Sequence, residues 1–557
     1  MKKQKKQRSS GFYVIRNLLI TLLAGAVSFY FMLPALNYRD LGTYVWVLIL
    51  LVLFMLLQGL SLGVQVLQRR FDAPNVVEVK PKRIMAYWSL KIPAILAVVL
   101  VLAALIGEAS SLVLFRAKDY AELLQVENGD FTADVEQISF DQIPMLDKDS
   151  AERLGDRKLG ELSDMVSQFE VNPAYSQINY QDEPVRVTYL DYGDVIKWLN
   201  NRGEGLPAYI LINMVSQEVT VQRLEEGIKY SPSDMFSRDL MRHLRFQYPT
   251  LMFDDVNFEI DEAGHPFWIC SVVDKTIGLF GGTDVVGAVI VDAVSGDSTY
   301  YPLTEVPTWV DRVFSADLIM EQYDYRGMYS GGFFNSIFGQ KNVTVSTEGY
   351  NYIAINDDVW VYTGVTSVTG DESNVGFILS NQRTKETSYY TIAGATEYSA
   401  MASAQGMVQH LAYTATFPLL LNISGEPTYF MALKDASQLV KMYAMVNVQQ
   451  YQVVATGSSL EETKKNYDEL LLQNGIQSVP EPETVDTVSV SGAVEEIRSQ
   501  VVEGSTVYYF RLEGQWYSVS AAEWEEAVML EEDIQVSVTI NSDDGGTIIP
   551  VREISFG

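Results

Sequence analysis

The sequence predicts an α-helical three-span membrane anchor, then an α+β region of tandem antiparallel-sheet-plus-helix repeats, then a C-terminal small β barrel of OB or SH3 type. Three observations predict it. Long apolar runs are confined to the first 115 of 557 residues. Alternating strand patterns then recur, each followed by helical periodicity. Beyond the Pro- and acid-rich stretch "VPEPETVD" the chain reads as short strands with one short helix.

The anchor comes first (1–116). Its apolar runs cover residues 18–36, 44–66 and 92–115. Each approaches or exceeds the roughly 20 residues a helix needs to cross ~30 Å of hydrocarbon. Only helices or closed barrels satisfy backbone polar groups there, and these runs show no strand-like alternation. "MKKQKKQRSS" precedes the first run. Arg69, Arg70, Lys80, Lys82, Arg83 and Lys91 lie between the second and third, and only "NYRDLG" between the first two. The positive-inside rule therefore predicts a multi-pass cell-membrane protein with a cytoplasmic N-terminus and a large extracytoplasmic C-terminal region. The first run is expected to be retained: a second span follows closely and no small-residue cleavage site intervenes. Glu108, near the outer end of the third run, is expected to reach headgroups or water rather than mark an ion path.

Charge divides the chain at the same place. Residues 1–115 carry 13 basic and 4 acidic side chains, and residues 116–557 carry 27 and 67. A net charge of −40 on the large part repels phosphate backbones and excludes nucleic acid as its ligand. Cys270 is the one cysteine, so no intrachain disulfide forms. An outer region stabilised by core packing alone suits a bacterial envelope protein.

After a connecting region (117–183) the repeats begin: 184–250, 251–341, 342–415 and 416–476. Each centres on a hairpin whose first strand ends in an Asx residue, at Asn213, Asp292, Asn381 and Asn447. Such side chains hydrogen-bond backbone two residues on and start a turn. Gly296 follows in the second copy where Gln217 and Lys385 stand in the first and third, so a positive φ is expected to be optional there. Spacings of 79, 89 and 66 residues exclude a solenoid of fixed pitch. A second strand pair precedes each hairpin, as in "FEIDEAGHPFWICSVVDK"; in the first copy "VRVTYLDYGDVIKWL" is its degenerate form. Period-2 alternation predicts one buried and one wet face. A helix follows each hairpin. In "SPSDMFSRDLMRHLRFQY" Ser or Asp is the cap; in "SLEETKKNYDELLLQNG" Ser459 and Glu462 form a capping box and Gly475 a stop. A linker (477–485) leads to the small barrel (486–557), whose 14 acidic against 3 basic residues disfavour nucleic acid.

The second hairpin, "VGAVIVDAVSGDSTYYPL", resembles the PepSY domain pattern of valine, aspartate, alanine, any residue, threonine-glycine and an acidic residue. Here Asp292-Ala293 is followed by Ser295-Gly296. The third and fourth copies are similar more weakly, and the first lacks the glycine. The resemblance spans about residues 180–475 and implies envelope proteins with regulatory or peptidase-inhibiting roles.

No catalytic, cofactor or metal site is assigned from the sequence. His243 and His410 border apolar helix faces, His265 sits in a turn, and Cys270 reads as a small core hydrophobe. No H-E-x-x-H, G-x-S-x-G or P-loop occurs. The pairs Asp254-Asp255, Asp357-Asp358 and Asp543-Asp544 match no calcium loop and are expected to be solvated turns. "SGGFFNSIFGQK" places Phe333, Phe334, Ile337 and Phe338 at helical spacing and is expected to tuck under a sheet; a membrane- or partner-touching helix is the rival reading. The expected function is non-enzymatic: a membrane-anchored binding, regulatory or scaffold protein with a protein or peptide partner and no cofactor. An envelope hydrolase, peptidase or glycosidase, joining acids such as Asp254 and Asp357 between units is one alternative. A transporter accessory subunit is the other, ranked last because three helices without internal polar pairs make a poor pore.

Overall fold

The structure is a computed structural model that describes residues 10–72, 83–137, 143–181, 183–355, 357–368, 373–476, 487–502, 505–521, 524–541, 548–551 and 553–556. The extreme N-terminus, the centre of the basic loop, the linker and Asp543-Asp544 lie outside the described residues. Two compact units result, Met1–Val479 and Pro480–Gly557.

Three helices begin the first unit: α1 (Ser10–Met32), α2 (Leu41–Asp72) and α3 (Arg83–Ser111). All three are long and apolar enough to cross a membrane. Side chains such as Leu23, Phe31, Leu60 and Ile106 are exposed on their outer faces, the lipid-facing arrangement expected of spanning helices. Between the helices runs a polar network that the sequence reading did not expect. The Asn17 amide donates to Gln58 Oε1 (2.9 Å) and Ser61 Oγ (3.0 Å). Gln58 in turn donates to Ser89 of α3 (2.9 Å). Single uncharged Asn, Gln and Ser residues barely lower hydropathy, so the runs hide them, yet in hydrocarbon they must pair across helices.

One end of this anchor carries the rest of the unit. At the α1–α2 loop the Leu36 N–H donates to Pro249 O (2.7 Å), and Arg39 pairs with Asp274 (2.8 Å). At the end of α3 the Leu279 and Phe280 N–H groups donate to Ser111 Oγ (3.1 and 3.0 Å). Glu108 is exposed one turn below. A short helix, α4 (Val113–Ala121), follows at once.

Four antiparallel meanders come next. The first runs through Ser176–Tyr180, Glu183–Tyr192, Leu206–Asn213 and Val219–Ile228; the second through Met252–Ile260, Pro266–Ile277, Gly281–Asp292 and Ser298–Pro302. The third uses Asn351–Ile355, Asp358–Ser367, Gly376–Asn381 and Thr387–Tyr390; the fourth Leu419–Ile423, Glu426–Lys434, Val440–Asn447 and Val454–Gly457. A helix follows each, respectively Leu240–Gln247, Ala316–Tyr329, Glu397–Met407 and Leu460–Gln473. The first meander opens with Ser176–Tyr180, inside the expected connecting region, because "SQINY" is too short to stand out from a polar segment. The segment "DVIKWLN" is a helical insert, Val195–Asn201, not strand. The first helix is capped by Asp239, whose carboxylate accepts from Arg242 N, rather than by an earlier Ser or Asp. Ser459 caps the last by accepting from Glu462 N, while the Glu462 carboxylate reaches back to Ser458 N (2.7 Å) rather than Ser459 N, and Gly475 follows at φ +74°.

One face wet is wrong for the central strands. Along Gly281–Asp292, Val289 and Val291 share a core with Tyr189 and Trp268, while Ala288 and Ile290 pack with Phe314 and Ile319 beside the following helix. Gly376–Asn381 is buried at every position. Burial on both faces explains the near-continuous apolar runs at the third strands. The connecting region is a strap. Its strand Glu127–Gly129 pairs in parallel with the edge of the third sheet, Val135 O accepts from the Asn422 amide (2.8 Å), and Asp147 pairs with Lys434 of the fourth.

In the second unit the described strands form a three-stranded sheet, Thr487–Ala493, Gln535–Asn541 and Glu553–Phe556, and a four-stranded one built on Glu496–Val502, Ser505–Leu512, Gln515–Ser520 and Ile548–Pro550. No closed barrel forms among the described residues. Phe510 and Val519 of one sheet bury against Val536, Val538 and Ile554 of the other, so facing sheets enclose the core without joining their edges.

Candidate functional site

The four Asx corners share one pattern of side-chain bonds. Each side-chain Oδ1 accepts two backbone N–H bonds: Val215 and Ser216 on Asn213, Val294 and Ser295 on Asp292, Arg383 and Thr384 on Asn381, Gln449 and Gln450 on Asn447. The remaining Asx atom reaches the residue that opens the second strand, Glu183, Asp358 (2.8 Å) or Glu426 (3.1 Å), or in the second meander the residue just before it, His265 (3.1 Å). Positive φ is kept at the first three corners, and the fourth does without it, its loop closing one residue later through Asn447 N–H on Val453 O. Gln217 (φ +60°) and Lys385 (φ +66°) adopt it as Gly296 does (φ +81°), because the i+4 N–H must turn back to the Asx carbonyl. These corners hold the sheets and carry no chemistry of their own.

A cavity of about 1050 Å³ opens where the α1–α2 loop meets the second and third sheets. Leu33, Pro34 and Asp40 form one wall, the start of helix Ala316–Tyr329 another, and Tyr350 and Tyr352 a third. Arg245 ties the loop down by donating to Leu33 O (3.0 Å) and Tyr248 O (3.3 Å). Asp254 and Asp255 both line the cleft because a β-bulge interrupts the ladder between Phe253 and Val256, and a bulge re-aims side chains that period 2 would send to opposite faces. Burial, then the adjacent Asp255 charge, pushes the Asp254 carboxyl up, against a bond from Ser315.

Arg312 is the cation of the far wall. Its N–H donates to Glu259 Oε1 (3.0 Å) and its guanidinium lies 5.1 Å from the Tyr352 ring centroid. Its Nε is buried without a protein acceptor. Burial opposes its charge, but Tyr352, Asp255 and Glu259 outweigh this and hold its pKa above the ordinary value. Behind it Glu259 and Asp311 are buried, and desolvation drives both carboxyls up, with the Asp255 charge adding to it at Glu259 and the Glu259 charge at Asp311. Asp317 and Glu321 add carboxylates and Lys275 a further cation. The cleft thus offers both charge signs and two tyrosine rings. No group of three or more metal-ligating side chains occurs among the described residues.

The residues singled out in the sequence are scattered. Asp254 lines the cleft. Asp357 instead accepts from the Asn179 amide (2.8 Å) at the tip of the third sheet's first hairpin, and Asp358 pairs with Arg383 (2.7 Å), so both are partnered rather than simply solvated. His243 bonds Gly296 O (2.7 Å) and stacks on Tyr230. His265 belongs to the second corner and His410 to a short 3-10 turn. Cys270 is fully buried, and its thiol is pushed up by burial. The Phe333–Phe338 stretch does not tuck under a sheet: Phe334 is 66% exposed and Phe338 81%. Arg312 and Asp317 escaped sequence reading because "WVDRVFSAD" looks like helix, whereas the helix begins only at Ala316. Two adjacent acids inside the strand "MFDDVNFEI" were the available signal of the bulge.

No protein family matches the chain, and no curated protein matches it.

Proposed function

We propose that the chain is a non-enzymatic, membrane-anchored binding or regulatory protein of the bacterial envelope, and that the cleft above the anchor is where it takes a peptide or protein segment. The observation that carries this is the cleft's composition: interspersed carboxylates and cations, two tyrosines and a buried Arg312 Nε without a protein acceptor. Such a wall suits a ligand that presents both charges and hydrogen-bond acceptors, as a peptide does. The sheets read best as PepSY-like repeats, on the strength of the Asp292-Ala293-x-Ser295-Gly296 turn and its three related corners. The positive-inside pattern supports an extracytoplasmic position for the sheets.

Photo-crosslinking in native membranes tests the reading. A benzophenone amino acid at Asp317 is expected to trap a discrete adduct, while one at Glu469, exposed on the last helix of the first unit, is not. The same adducts from both positions, or none from Asp317, would overturn it. A protease-sensitive tag after Gly557 reports sidedness, with digestion expected in intact cells.

A further inference from the structure

We propose that the turn Asn335–Gly339 and its flanking phenylalanines form a second membrane contact, dipping into the lipid headgroup and upper acyl region beside α3. The turn is built, not frayed. Gly332 enters it at φ +84° and Gln340 leaves it in the left-handed region at +47°, with its N–H on Asn335 O. The Asn335 side chain closes the loop by donating to Lys341 O (3.0 Å) and accepting from Lys341 N (3.3 Å). This frame holds Phe334, Ile337 and Phe338 outward, with the two phenylalanine rings stacked. Ordered apolar side chains facing outward from a closed turn mark a surface with an apolar partner.

Position and charge choose lipid as that partner. The Tyr120 hydroxyl of α4 donates to Ser111 O (2.8 Å), where α3 ends. The Tyr120 ring meets Tyr325 at 4.8 Å, and Tyr325 stacks on Tyr329 at the close of the helix that runs into the turn. The turn is therefore tied through two aromatic contacts to the end of a membrane span. On the way α4 exposes Leu114 and Phe115, which continues the apolar belt of the spans. Residues 325–347 contain Arg326 and Lys341 and no acid, inside a region of net charge −40. An acidic domain that clears its carboxylates from one apolar turn has made that turn compatible with an anionic bilayer surface.

The test uses the full chain in nanodiscs of phosphatidylcholine and phosphatidylglycerol. Nitroxides are placed by Ile337→Cys and, as a water-exposed control, Lys465→Cys, with Cys270 buried and unreactive. The oxygen-to-nickel accessibility ratio at 337 is expected to exceed that at 465 several-fold. Adding Phe334→Ser with Phe338→Ser is expected to bring the ratio at 337 to the control value while leaving label mobility at 465 unchanged. Equal ratios at 337 and 465 in nanodiscs overturn the proposal. So does protection of 337 seen in native membranes but not in nanodiscs, since the contact is then with a protein.

Discussion

The first two corners and the last two have the same Asx side-chain bonds and differ in water. At Asn213 and Asp292 the side chains remain partly exposed; of their partners Glu183 is exposed and His265 half-buried. Asn381 and Asn447 are 2% and 0% exposed; Arg383 pairs with Asp358, the partner of the first, and the fully buried Tyr467 hydroxyl accepts from Asn447 itself. One pattern of side-chain bonds therefore serves both as a surface turn and as a buried polar pin. A hydrogen bond that competes with water contributes little, whereas a buried group that loses its partner costs its full desolvation. The difference predicts a graded series.

Asn447→Ala is the largest expected effect. It removes the acceptor for Gln449 N (3.1 Å) and Gln450 N (2.8 Å) and strips Glu426 and Tyr467 of a donor. Asn447 and Tyr467 are both fully buried, so the Tyr467 hydroxyl loses a donor that water does not replace, and a loss of about 3 kcal/mol is expected in urea unfolding of the full chain. Asn213→Ala, where water replaces the side chain, is expected to lose under about 1 kcal/mol. Equal losses at the two positions would show that burial does not set the energy of a corner.

Asp358→Ala ranks next. Asp358 binds Arg383 through two bonds, of 2.7 and 2.8 Å, with both side chains mostly buried, and also accepts from the Asn381 amide. Leaving the guanidinium unpaired is expected to cost about 2–3 kcal/mol. Arg383→Met added to it is expected to recover part of that loss, because the uncompensated charge disappears. No recovery would mean that the pair contributes through Asn381 alone.

How far this was readable from sequence differs between the regions. The three spans are legible because hydrocarbon demands long runs, and the third strands because burial on both faces concentrates Val, Ile and Leu. The Asx residues stand out since they break those runs at one place. Their partners were missed: Glu183-Pro184, His265-Pro266 and Glu426-Pro427 share a residue-before-proline pattern, but the contact that gives it meaning lies a strand away. The cleft was the least legible. It is assembled from the α1–α2 loop, a bulge and a segment that reads as helix, and none of these leaves a local period. The barrel expectation failed for a related reason, since strand count and alternation are the same for a closed ring and for two facing sheets.

Asp292→Asn separates charge from geometry at the one corner that carries a carboxylate. Burial raises the Asp292 carboxyl, but the Ser295 and Val294 N–H groups and His265 outweigh it and hold it below its ordinary value of 3.8. A depressed folded pKa adds stability that is present above 3.8 and is lost as pH falls through the lower folded value. Wild type is therefore expected to exceed Asp292→Asn by up to about 1 kcal/mol near neutrality, with the gap closing below pH 3.8. A gap that is constant with pH would assign the stabilisation to geometry shared with the three asparagines.

Gln217→Gly gives the smallest effect and the finest distinction. A non-glycine residue in the left-handed region costs about 1 kcal/mol, and Gln217 adopts φ +60° on the half-exposed first corner, where its side chain bonds Tyr443. Glycine relieves that strain but adds unfolded-state entropy and loses a partly solvated hydrogen bond, so the change is expected to fall within about 1 kcal/mol of neutral. Lys385→Gly, at the same turn position of the third corner, is expected to destabilise instead. There the ammonium pairs with Asp284 (2.6 Å) and lies 5.6 Å from the Phe314 ring centroid, so the side chain ties the third corner to the second sheet. Opposite outcomes at two equivalent φ values would show that the third corner keeps a strained lysine for the contact it makes. Equal outcomes would show that the φ alone decides.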